Sequence, residues 1–211
     1  MIPLDLIITF VIASSLLGLA PGPDNIFVLS QSALYGRKSG LFVTLGLCTG
    51  LVVHTSAVAL GVAAIIKTSA VAFTMLKIVG ALYLLYLAWQ AFSASATALD
   101  RTPPKRRTNQ QLYRRGIIMN ITNPKISIFF LAFLPQFVSA SNGAIAPQIF
   151  MLGALFIAVT LVIFGTIALL GGTIGQWFSE SEKAQLWLNR VAGFLFTGLA
   201  IKLFLAESDA S

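Results

Sequence analysis

Apolar residues occupy this chain in long blocks, and polar residues gather in the short stretches between them. Six blocks stand out: Leu4 to Tyr35, Gly40 to Ile66, Val71 to Phe92, Gly116 to Val138, Pro147 to Gly171 and Leu186 to Leu205. At about 1.5 Å of rise per residue, about 20 residues cross the roughly 30 Å hydrocarbon core of a bilayer, and every block is long enough. Runs such as Leu41 to Ile66 and Phe150 to Leu170 do not alternate apolar with polar residues, so they do not read as barrel strands. Backbone groups in lipid must be satisfied internally, which leaves helices. The pattern predicts an all-α membrane protein of six transmembrane helices.

Two blocks carry an interruption. The first contains Pro21-Gly22-Pro23-Asp24 and the fourth Asn123-Pro124-Lys125. Proline removes a helical donor and disfavours helical backbone in the residue before it, so helices 1 and 4 are expected to break at these motifs. A second correspondence links span three, with Lys77-Ile78-Val79-Gly80, to span six, with Arg190-Val191-Ala192-Gly193. The chain thus reads as one transporter-like domain, 1–211, made of two three-helix repeats (about 4–92 and 116–205) around a basic loop, 93–115. Three is odd, so the second repeat crosses in the opposite sense. That is an inverted repeat, in which binding sites form at broken helices near the midplane.

Composition agrees with this reading: of 211 residues 57% are hydrophobic and 10% charged, with a mean hydropathy of +0.87, too apolar to solvate a globular surface. The net charge of +7 does not point to nucleic acid, because Lys and Arg collect between the spans, where orientation and anionic lipid account for them. Arg101, Lys105, Arg106, Arg107, Arg114 and Arg115 crowd the longest loop. With six spans, that loop shares a side with Arg37-Lys38 and with the Glu180–Lys183 turn, whereas the other side has Lys67 and the acidic ends at Asp5 and Glu207–Asp209. The positive-inside rule places the basic loop in the cytoplasm and both termini outside it. Tyr83, Tyr86 and Trp89 read as an interfacial anchor beside it. Met1 to Phe10 lacks a basic n-region and a cleavage site, so it reads as the first membrane segment. Cys48 is the one cysteine, which excludes an internal disulfide or a CxxC pair.

The candidate chemistry sits at the two interruptions. Asp24 lies about 20 Å of helix from Arg37, and Lys125 about 15 Å from Arg115, which brings both near the midplane. A carboxylate there costs roughly 3 kcal/mol on insertion scales, so it needs a partner or a role. Aligning Pro23 with Pro124 sets Asp24 opposite Lys125. One such pair could hold the ammonium and carboxylate of a zwitterion. It could equally be an ion pair that joins the halves, and Asp24 could serve as a helix cap. Asn25, Asn120 and Asn123 offer further hydrogen bonds, to a ligand or to the broken backbone. His54, the single histidine, is a proton-relay candidate whose ordinary reading is a neutral hydrogen-bonding side chain between helices. Lys77, Arg190 and Lys202 read as side chains that reach span ends. Gly40, Gly46, Gly50, Gly165, Gly171 and Gly172 read as close-packing positions.

The motifs Pro21-Gly22-Pro23-Asp24-Asn25 and Asn120-Ile121-Thr122-Asn123-Pro124-Lys125, the latter followed by Phe129-Phe130-Leu131-Ala132-Phe133-Leu134-Pro135-Gln136-Phe137, resemble those of the LysE/RhtB superfamily of amino-acid exporters. The likeness extends to Arg37-Lys38-Ser39-Gly40 and Gly80-Ala81-Leu82-Tyr83-Leu84-Leu85-Tyr86, and so to nearly the whole chain. The resemblance implies a proton-motive-force-dependent exporter of the bacterial inner membrane, with substrates of the lysine, arginine, threonine, homoserine or leucine kind. Chain length and short loops fit the homoserine/threonine branch. Its implied partners are a small amino acid, protons and lipid, and a homodimer is one assembly it allows.

Other classes fit less well. Intramembrane aspartyl proteolysis needs two deep acids, and a serine hydrolase would have only His54 and no Gly-x-Ser-x-Gly elbow. Efflux of a metal ion or another small solute is the alternative reading, but a metal wants several His, Cys, Asp or Glu ligands in the membrane. No cofactor is expected.

Overall fold

The computed structural model describes residues 2–20, 22–68, 70–94 and 106–205. Pro21, the centre of the basic loop with Arg101 and Lys105, and the tail at 207–209 lie outside the described residues. Among the described residues eight α-helices follow one another: α1 Leu4–Leu19, α2 Pro23–Tyr35, α3 Arg37–Thr68, α4 Ala70–Ser93, α5 Asn109–Ile121, α6 Pro124–Ile128, α7 Ile145–Glu180 and α8 Glu182–Leu205. A π-helical turn, Phe129–Phe133, and two 3-10 turns, Leu134–Phe137 and Ala140–Asn142, join α6 to α7. Among the described residues there is no strand.

Both expected interruptions are present, and in each a proline opens the helix that follows. Pro23 and Pro124 stand in the first turn of α2 and α6, where a missing N–H costs nothing. The chain bends by 60° between α1 and α2 and by 50° between α5 and the segment Pro124–Phe137. Three stretches, Arg37–Gly61, Ile145–Gly171 and Glu182–Leu205, are long and apolar enough to cross a membrane, and each bent pair adds one more when counted as a single span. α4, the expected third span, is a continuous helix of 24 residues. The protein is an all-helical membrane protein.

Two boundaries differ from expectation: α7 runs on to Glu180, nine residues past the expected end at Gly171, and only Ser181 parts it from α8; the other is the start of α5. α5 begins at Asn109, inside the region read as basic loop, because Thr108 and Gln111 form a capping box: the Gln111 N–H donates to Thr108 Oγ1 and the Thr108 N–H to Gln111 Oε1.

α3 packs along α5 and α7, α2 sits against α3 and α7, and α4 pairs with α8. α4 and α8 run antiparallel: Gly80 approaches Leu203, while Phe92 meets Phe194 at 5.1 Å between ring centres. Two apolar clusters fill the interior. The larger holds Phe10, Phe129, Phe130, Phe133, Phe137 and Phe156. The smaller, between α2, α3, α5 and α7, holds Val28, Val43, Leu47, Leu112, Phe164 and Ala168. The outside is apolar as well: Leu60, Val162, Phe194 and Phe204 are 76%, 69%, 70% and 74% exposed, a surface that suits lipid and not water.

Glycines set the closest helix approach. A side chain on Gly46 would meet the Tyr113 carbonyl and Gly116 Cα, so α3 and α5 touch backbone to backbone. Gly40 and Gly171 both accommodate Ser32 of α2, and Gly50 accommodates Asn120. Gly165 departs from its expected role, because a side chain there would meet nothing within 4 Å. Gly172 lies among residues whose side chains are not described.

Candidate functional site

The two breaks meet in the interior. Asp24 is 4% exposed and Lys125 9%. Asp24 is not the cap of α2: that position is Gly22, and Asp24 follows Pro23 within the first turn. Its Oδ2 accepts a hydrogen bond from Asn123 Nδ2 at 2.9 Å, and its Oδ1, also buried, has no partner. Asn123 is itself the cap of α6, its Oδ1 accepting from the Lys125 N–H at 3.0 Å. One amide side chain therefore starts the second half of the fourth span and grips the carboxylate of the first.

Lys125 turns the other way. Its Nζ donates to Leu17 O at 3.3 Å and Ala20 O at 3.1 Å, carbonyls at the open C-terminal end of α1. Those groups lost their helical donors when the chain broke, and a helix C-terminus carries partial negative charge. The interruption thus creates the acceptors that hold the ammonium. Asp24 and Lys125 are neighbours around one site, but neither is the other's hydrogen-bond partner. An ammonium has three protons, so one remains for another acceptor.

Asp24, Asn25, Asn120 and Lys125 line a small cavity of about 20 Å³, walled by Leu47, Leu51, Phe156 and Phe164. That is space for roughly one water. Asn25 Nδ2 donates to Gly18 O at 2.6 Å, and its Oδ1 is buried without a partner, as is Asn120 Oδ1. Three residues with an unpartnered acceptor oxygen and the one residue with an ammonium therefore line one small space. Buried polar groups are nearly always satisfied, so these oxygens call for a donor such as a water or a ligand group.

His54 stands apart. Its Nε2 is 3.1 Å from the Asn120 carbonyl oxygen, which only accepts, so that nitrogen carries the proton. The ring lies 5.6 Å from that of Phe130, and His54 does not line the cavity. Lys77 is buried, whereas Lys202 lies 4.5 Å from the Phe137 ring centre, and Arg190 is exposed.

A second, open groove of about 310 Å³ lies on the other side of the breaks, lined by Gly22, Asn123, Lys125, Tyr83, Gln90 and Asn189 among others. Of the α4 and α8 contributions, Tyr83 and Ala192 belong to sequence correspondences noted above, Tyr83 having been read as an interfacial anchor, but none was among the candidate site residues. Gln31 and Ser14, both buried with an unpartnered side-chain oxygen, were unmarked by any pattern.

A family model described as LysE type translocator matches residues 15–207. A homoserine/homoserine lactone efflux protein of Salmonella typhimurium is 32% identical over 187 residues, 89% of this chain and 90% of that protein. A leucine efflux protein of Salmonella typhi is 28% identical over 201 residues, 95% of each chain. An uncharacterized membrane protein of Vibrio cholerae is 29% identical over 202 residues, 95% of this chain and 97% of that one. No solved structure matches.

Proposed function

Because the chain belongs to the LysE type translocator family, we propose that it is a secondary transporter that exports a small amino acid across the bacterial inner membrane in exchange for protons. The observation that carries this reading is the arrangement at the breaks: a buried carboxylate, a buried ammonium and three unfilled acceptor oxygens around one cavity between two interrupted helices. Asp24 Oδ1 with the two amide oxygens suits an ammonium group or a proton carried in its place. Lys125 suits a carboxylate.

The six helical segments are read as two inverted repeats, 4–92 and 116–205. Packing supports this: exchanging the halves leaves the α3–α7 and α4–α8 contacts in place and turns α3 against α5 into α7 against α1. The basic loop faces the cytoplasm and both termini face outward. Among the family's substrates, uncharged side chains of the homoserine or leucine type fit better than basic ones. Among the described residues, the groove has no carboxylate in its lining to receive a second positive charge. The two efflux relatives carry names of that kind. Metal-ion efflux is disfavoured by Lys125, whose ammonium lines the same cavity as the one carboxylate.

The test is uptake of radiolabelled L-homoserine or L-leucine into inverted vesicles with an acid interior. Uptake above vesicles lacking the protein, abolished by a protonophore, is expected. Correctly inserted protein that moves no amino acid of a lysine, arginine, threonine, homoserine and leucine panel would reject the proposal.

A further inference from the structure

Among the described residues, the small cavity and the larger groove share a single residue. Of all the side chains around them, Lys125 alone lines both. The partition between them is thin and polar: the Asn123–Asp24 hydrogen bond has Asn123 on the groove side and Asp24 on the cavity side. Gly22 lines the groove where a methyl group would stand 3.1 Å from Lys125 Nζ, so glycine leaves that ammonium approachable. The groove runs between the C-terminal half of α4 and the N-terminal part of α8, the ends joined to the basic loop and to the turn at Ser181. Its α4 and α8 walls therefore extend from the breaks toward the ends that carry the basic loops.

The volumes divide the labour. About 20 Å³ admits one water, whereas about 310 Å³ corresponds to about ten waters at roughly 30 Å³ each, room for a small amino acid. The groove also carries polar groups besides Lys125. These are the Tyr83 hydroxyl, the Gln90 amide, whose Nε2 donates to Tyr86 Oη at 2.6 Å, and the Asn189 amide.

We infer that this groove is the loading site for an amino acid from the cytoplasmic side, with Lys125 as the anchor for its carboxylate and Tyr83, Gln90 and Asn189 as the residues that read the rest of it. This rests on the export reading for its direction. Transfer onward then requires the small cavity to widen from its room for about one water as the Asn123–Asp24 bond opens and the Lys125 ammonium exchanges its α1 carbonyls for the substrate carboxylate.

The experiment uses the full chain with Cys48→Ala and Asn189→Cys in inverted vesicles, a membrane-impermeant maleimide and millimolar L-homoserine or L-leucine. The maleimide should label position 189, the amino acid should slow labelling several-fold, and Lys125→Gln should remove that slowing. In export assays, Tyr83→Phe and Asn189→Ala should each raise KM about fivefold, the loss of one neutral hydrogen bond, and by more than they lower the maximal rate. A protein that exports but shows neither protection nor a KM shift overturns the groove and leaves the export reading standing. Protection in a protein that does not export keeps the groove and removes the export reading. Absence of both removes both.

Discussion

Asn123 and Asp24 are joined across 99 residues of chain: the amide Nδ2 donates to the carboxylate Oδ2 at 2.9 Å, and both side chains are buried. The same amide caps α6 through its Oδ1. The geometry of one break therefore depends on the other, and the carboxylate keeps one oxygen free for the cavity.

Asn123→Ala removes the α6 cap and the partner of Asp24 together. Loss of about 1–3 kcal/mol of stability is expected, read as a lower thermal midpoint in detergent. Asn123→Asp keeps a cap but sets a second carboxylate against the first, so it too should destabilise. Wild-type stability of Asn123→Asp would remove the interhelical bond from this account.

Asp24→Asn keeps shape and an acceptor for Asn123 but removes the charge. Export should fall at least about tenfold, the scale of a charge-assisted contact, with membrane expression largely kept. The double variant Asp24→Asn with Lys125→Gln should stay inactive while folded. Wild-type-like efflux by that double variant would reduce the two residues to a charge balance between the halves.

His54 meets a backbone carbonyl and lies outside the cavity, so a neutral donor should replace it. Export by His54→Gln should stay near wild type across pH, and His54→Leu should cost about 1 kcal/mol of stability from the lost hydrogen bond. Loss of export in a stable His54→Gln protein would restore the proton-relay reading.

Gly46 and Gly116 stand at the backbone contact between α3 and α5, whereas Gly165 faces open space. Gly46→Ala and Gly116→Ala should each destabilise by about 1–3 kcal/mol, and Gly165→Ala should not. Equal thermal midpoints for all three would show that α3 and α5 do not pack this closely.

Orientation is tested at Gln110, an exposed residue of α5 next to the basic loop. With Cys48→Ala, Gln110→Cys should resist an impermeant maleimide in intact cells and react after permeabilisation. Ready labelling of intact cells would invert the topology.

The helical class, the two breaks and the approximate span edges were legible from the order of residues, because these properties are local. Apolar length answers to bilayer thickness, and proline acts on its own backbone and its neighbour's. The capping box at Thr108 was equally local, but it stands in a basic stretch outside any apolar block. The tertiary structure alone decided that Asn123, not Lys125, holds Asp24, that Lys125 reaches α1 carbonyls 105 and 108 residues away, and that α4 and α8 complete a groove. It also decided which glycines touch a neighbour. These facts depend on how each helix is rotated about its axis. A soluble helix declares that rotation by an apolar stripe. In lipid both the inward and the outward face are apolar, as exposed Leu60 and Val162 beside buried Leu51 and Phe156 make plain, so the stripe that would reveal the facing residues is absent.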